Sequence, residues 1–211
     1  MVRISHSMGD YCIDKTEATK GQYAEFRAAM DGDYSGQPDY CSWNSDYSQG
    51  SCGNYSPDDN PNLPAGCMDW CDADQFCRWA GKRLCGALGG GANLDPTLQQ
   101  PGEWSGACDS ASPIPADCNA ANQHPVEVTT GCSGLGEFGA VTHLIGNVSE
   151  WVHECAVGFS GGEETNSTCN GRGGSFADQA SQIQCARTGG ASRLSSERFR
   201  GVRCCASAAP N

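Results

Sequence analysis

Two short stretches carry residues whose types and spacing could do chemistry. Gly146-Asn147-Val148-Ser149-Glu150-Trp151 sets a carboxylate beside an indole, and Arg172-Gly173-Gly174-Ser175-Phe176 sets a guanidinium and a hydroxyl around a double glycine. The acid next to Trp151 enters the edge of the core. A charge there is costly to bury unless a cation meets it. That cation is either a metal or one of Arg83, Arg172 and Arg203. Gly146 permits backbone conformations closed to other residues. Gly173-Gly174 marks a close approach of two backbones. His6, His124, His143 and His153 are scattered, and no nucleophile, base and orienting group share one pattern.

The other chemistry is sulfur. Fifteen cysteines in 211 residues point to an oxidising compartment. Paired Cys-x-x-Cys knuckles, which a structural zinc site needs, are missing. The nearest spacings are Cys67-x3-Cys71 and Cys71-x5-Cys77. Disulfides are therefore expected, and the odd number leaves a thiol that is free or links to another chain. The formal charge of −12 argues against nucleic acid and anionic membranes as partners. The chain lacks an apolar run of the roughly 20 residues that a membrane span needs. Nor does any stretch read as a signal peptide, which is the expectation for a mature domain after removal of its export signal. The reading is an exported protein, in the periplasm, at the cell surface or outside the cell.

The elements that must position these groups are short. Val2 to Asp14 alternates weakly and reads as one or two strands. Thr19 and Gln22 form a capping box opening a helix that ends near Met30, with Tyr23 and Phe26 on one face. Asp31 to Pro64 is a long polar excursion. Asp69 caps a second helix reaching Ala80, where Gly81 stops it. Glu103-Trp104 begins a short ordered piece that ends at Cys108, and Arg172 to Cys205 reads as strand, loop, strand. With 28 glycines and no collagen period, the remainder is turn and ordered coil. The fold class is α+β, with a short antiparallel sheet, two helices and abundant disulfide-stapled coil. The domain runs over 1–206 and a flexible tail over 207–211.

Five motifs stand in order: Tyr11 to Thr19 (Tyr-Cys-Ile-Asp-Lys-Thr-Glu-Ala-Thr), Trp79-Ala80-Gly81-Lys82-Arg83-Leu84, Glu103-Trp104, Gly146 to Trp151, and Arg172 to Phe176 with the closing Gly201-Val202-Arg203-Cys204. As a set they resemble the formylglycine-generating-enzyme/sulfatase-modifying-factor family, and they match a Cys-rich bacterial branch of it. The resemblance implies a variant of the C-type-lectin-like fold. It also implies a copper site, because the family's enzymes oxidise a substrate cysteine using two thiolates. Those cysteines sit two and seven residues after the aromatic that follows Gly-Gly-Ser. Here these positions are Asp178 and Ile183. Soft thiolates select copper(I), so a hard carboxylate and a hydrocarbon argue against copper as a cofactor.

The resemblance implies further pairings and ligands. Cys77 would bridge Cys204, and Cys108 would bridge Cys185. Cys12 with Cys205, Cys41 with Cys52, and Cys155 with Cys169 are assigned on proximity alone. Calcium is the implied cofactor at the Gly146 turn, held by carbonyls of Gly146 and Val148, the Glu150 carboxylate and the side chain at His143. Imidazole is a poor calcium ligand, and the other reading is a Glu150 to arginine pair. The lectin-like fold receives ligands on the face formed by the C-terminal third, and the same architecture displays the variable residues of retroelement-diversified binding proteins. Here that third carries Asp178, Gln179, Gln182, Arg187, Arg193, Arg198 and Arg200 in an otherwise acidic protein. The expectation is a non-catalytic domain that binds a protein or a glycan-like or anionic ligand there. The other readings are internal charge balance by these arginines, a diverged cysteine-oxidising enzyme with relocated thiols near Ser175, or a structural module of a surface assembly linked through the odd cysteine.

Overall fold

Local rules account for the longer helices. In the computed structural model, which describes residues 1–49, 52–53, 55–93, 102–108, 117–134, 138–156 and 165–209, α1 spans Lys20–Met30. Thr19 Oγ1 accepts from the Gln22 amide at 3.2 Å, and the Gln22 side chain accepts from the Thr19 amide at 2.9 Å. Two amide groups that the helix cannot satisfy internally are thereby closed. Helix α2, Trp70–Trp79, opens with the same device built from two acids, Asp69 and Asp72. Their packing is aromatic. The Phe26 and Phe76 rings meet edge-on with centroids 5.8 Å apart, and Tyr23 lies 5.2 Å from Phe26. The third helix, α3, is the short piece Glu103–Ala107.

Among the described residues, eight strands form two four-stranded sheets. They are β1 (Val2–Ile4), β2 (Tyr11–Ile13), β3 (Arg83–Leu84), β4 (Ser149–Cys155), β5 (Thr168–Arg172), β6 (Thr188–Ser192), β7 (Arg200–Val202) and β8 (Cys204–Ser207). The first sheet has the order β1-β2-β8-β3 and the second β6-β5-β4-β7. The first is antiparallel throughout. In the second, β7 runs parallel to β4, with Glu150 opposite Gly201. An all-antiparallel sheet was expected, and the difference is topological. The chain reaches β7 only after the β5–β6 hairpin, a connection long enough for a parallel pair. Ser207, expected to open the tail, is the last residue of β8 and pairs with Tyr11. Residues 210 and 211 lie outside the described residues.

Strand β4 divides the core. Trp151 packs with the helix aromatics and Met68 on one side, while Val152 packs with Ile4, Tyr11, Ile13 and Trp104 on the other. Alternation along a strand sends neighbours to opposite faces, so one strand serves two clusters.

All fifteen cysteines are described, and fourteen form seven disulfides. Cys77–Cys204, Cys108–Cys185 and Cys155–Cys169 form. Two expected pairings are corrected. Cys41 bonds Cys71 and Cys52 bonds Cys67, so the polar excursion is tied to the approach and first turn of α2 and not closed on itself. Cys205 bonds Cys85, just past β3. Cys12 is the remaining thiol and is half-buried. Its neighbours Tyr11 and Ile13 face the core, so the strand's alternation turns Cys12 to the opposite side. Cys118–Cys132 closes the loop before β4.

Two predictions follow from this architecture. Cys77–Cys204 encloses a sequence separation of 127, so a C77A/C204A variant should lose about 4–5 kcal/mol in urea unfolding on the chain-entropy model. Burial, the dominant effect, pushes the Asp69 carboxyl up to about 6 from 3.8, against the hydrogen bonds it accepts from Asp72 and Cys71. A carboxyl raised in the folded state stabilises the fold below its unfolded value, and that contribution disappears as pH climbs through 6. Asp69→Asn keeps the cap and removes the titration. Its thermal midpoint should therefore fall less than the parent's between pH 4 and 6.

Candidate functional site: the polar centre and the adjoining cleft

The Glu150 carboxylate is buried and fully committed. Arg203 Nε donates to both of its oxygens at 3.0 Å, Arg203 Nη2 donates to Oε1 at 2.8 Å, and Trp104 Nε1 donates to Oε2 at 2.5 Å. Arg203 is 0% exposed, and its remaining donors reach the carbonyls of Asp14, Thr142 and His143. The sequence left three arginines open as partner. The other two are taken elsewhere, Arg172 by Glu154 at 2.7 Å and Arg83 by Glu103. A second buried acid, Glu17, accepts from the Val148 amide at 2.9 Å and from Asn147 Nδ2 at 2.7 Å. Burial, and then the Glu150 charge, drive the Glu17 carboxyl well above the ordinary range. Gly146 sits at φ +75°, where an added Cβ would come within 2.5 Å of the Asn119 carbonyl. Gly173, at φ +85°, approaches the Leu144 carbonyl as closely. The expected near-contact of backbones is therefore real.

Beyond the double glycine, Asp178 folds back on the turn. Its Oδ2 accepts from the Ser175 amide and hydroxyl, both at 2.9 Å, and its Oδ1 faces Arg187 at 3.4 Å. Ile183 is 1% exposed and covers Gly146 and Gly174. Cys185, the nearest cysteine in sequence, is bonded to Cys108. The residues expected to share one binding face separate into three groups. Asp178, Gln179, Gln182 and Arg187 lie together at the surface of one loop. Arg193 and Arg200 are interior, which corrects that expectation. The Arg193 guanidinium lies 4.1 Å from the Tyr40 ring centre and 4.4 Å from that of Trp70. Arg200 lies 4.3 Å from the Trp151 ring centre and donates to Glu197 and to the Gly189 carbonyl. Both are held by aromatic faces, where a weakly hydrated guanidinium packs well.

Arg198 stands apart, in an open cleft of about 230 Å³. Lys20, at the start of α1, with Tyr55, Asp59 and Leu63 of the polar excursion forms one side. His124 and Pro125 form another, and Phe176 lies between. Lys20 pairs with Asp59, donates to the Ser56 carbonyl at 2.5 Å and lies 4.4 Å above the Tyr55 ring centre. Arg198 lies 5.3 Å from the Phe176 ring centre and donates Nη1 to the Gln123 carbonyl at 3.0 Å.

The fold has counterparts in known proteins. A family model, the sulfatase-modifying factor enzyme 1-like domain, matches residues 4–208. The chain belongs to that family. No curated protein matches the chain. Solved structures share its fold. CarF aligns at 18% identity with a TM-score of 0.60, covering 95% of this chain and 87% of that one. PvdO from Pseudomonas aeruginosa aligns at 17% identity and 0.56, covering 94% and 81%. Treponema denticola variable protein 1 aligns at 14% identity and 0.56, covering 94% and 85%.

Within this sulfatase-modifying-factor domain, neither metal that the resemblance implies finds a suitable set of ligands. At the copper positions stand a carboxylate spent on Ser175 and a buried isoleucine. At the Gly146 turn, Glu150 is already neutralised by a guanidinium, which would repel a calcium ion. His143 offers a buried imidazole whose pKa burial lowers, and calcium requires six to eight hard oxygens. Sequence reasoning gave no site role to Lys20, Asp59 or His124. They come from separate segments with no common motif, whereas Phe176 and Arg198 lay in stretches already singled out.

If Arg203 anchors Glu150 as described, Arg203→Met should cost about 3–5 kcal/mol, because it strands a buried carboxylate. Urea unfolding measures this. A loss under about 1 kcal/mol would mean that the pair is not what neutralises Glu150.

Proposed function

We propose that this chain is a non-catalytic binding domain on the sulfatase-modifying-factor scaffold. It works in an oxidising compartment as an exported protein and takes a protein or anionic ligand through its C-terminal third. One observation carries the reading: both positions where the family's oxidases hold copper thiolates are filled by groups with other work. Asp178 closes the Ser175 turn and Ile183 packs over two glycines. A relocated thiol pair finds no support either, since Cys12 on β2 is the one cysteine outside a disulfide. The seven disulfides support the oxidising compartment.

The test is an oxidation assay on cysteine-containing peptides with copper(I) supplied. The expected result is no copper-dependent loss of peptide thiol and no tight copper(I) site in a competition titration. Turnover of the peptide thiol to an aldehyde would replace this reading with the enzymatic one.

A further inference from the structure

The cleft at Arg198 has features of a built recognition site. Arg198 forms no ion pair with any described residue, and it lines the opening in a chain of net charge −12. One of its guanidinium nitrogens is used on the Gln123 carbonyl. The rest of the fork is available to an acceptor. The other strong cation of the cleft, Lys20, is 3% exposed and already balanced by Asp59, so the cleft offers one net positive charge. Leu63 and Pro125 supply apolar surface beside it.

We propose that this cleft receives a single peptide carboxylate carried on a short apolar stem. The inference rests on the binding-domain reading and names its ligand class. The guanidinium fork matches a planar carboxylate with two parallel hydrogen bonds. A dianionic phosphate would meet only one unbalanced cation and the neighbouring Asp59. A sugar acid would look for an open aromatic face. Phe176 is 1% exposed, and Lys20 already covers one face of Tyr55. The volume of about 230 Å³ is below that of drug-sized sites and suits one side chain or one terminal residue.

The experiment titrates the protein, followed by amide chemical shifts and calorimetry, with N-acetylated tripeptides. One carries a central glutamate and an amidated end, one a central glutamine and an amidated end, and one a leucine with a free C-terminus. Saturable binding by the first or third, shifts centred on His124 and Arg198, and silence of the glutamine peptide are expected. Whichever carboxylate peptide binds identifies the source as side chain or chain end. Arg198→Gln should weaken binding about tenfold or more, the worth of a charge-assisted pair. Arg198→Lys, which keeps charge but loses the fork, should weaken it as well. Unchanged affinity in both variants, tighter binding of a phosphoserine peptide or of glucuronate, or no binding by either carboxylate peptide overturns the assignment. These outcomes are separable from failure of the binding-domain reading, which would appear as copper-dependent thiol oxidation whatever the cleft does.

Discussion

One guanidinium ties the two sheets together. Arg203 occupies the single residue between β7 and β8, where the chain passes from the second sheet to the first. Its side chain neutralises Glu150 on β4 of the second sheet and caps the carbonyl of Asp14 just beyond β2 of the first. The Thr142 and His143 carbonyls complete its shell. A buried ion pair does not by itself stabilise a fold relative to a packed apolar one. It does penalise every arrangement in which Glu150 enters the core without that partner. The cost of an unpaired buried carboxylate thus helps to fix the relative position of the sheets.

The disulfides act on a different problem. Elements are short, and long coil joins them, so chain entropy weighs heavily against this fold. Cys77–Cys204 and Cys85–Cys205 pin adjacent residues of β8 to α2 and to the end of β3. Cys41–Cys71 and Cys52–Cys67 hold the polar excursion against the start of α2. The excursion supplies Tyr55, Asp59 and Leu63 to the cleft, so these bridges hold the wall of the proposed binding site. The turn where the family's oxidases carry copper ligands is closed by side chains of this chain. Asp178 caps it and Ile183 seals it.

The arginines of the C-terminal third show how one residue type divides among roles. Arg193 and Arg200 lie against aromatic rings in the interior. Arg187 balances Asp178 at the surface. Arg198 faces the cleft. Arg187, Arg200 and Arg203 are balanced by acids of this chain, and Arg198 lines the cleft where a ligand is proposed.

The sequence by itself determined whatever depends on neighbours along the chain. The capping boxes at Thr19 and Asp69, the glycine turns, the family motifs and the missing copper thiolates are all properties of residue order. So were Cys77–Cys204 and Cys108–Cys185, through motif position. The tertiary structure decided which arginine meets Glu150, where Cys41, Cys52 and Cys205 go, which arginines are buried, and that Lys20, Asp59, His124 and Arg198 share one cleft. Those outcomes depend on distances between segments far apart in the chain. Spacing along a sequence carries no measure of such distances when the connecting coil has no period of its own.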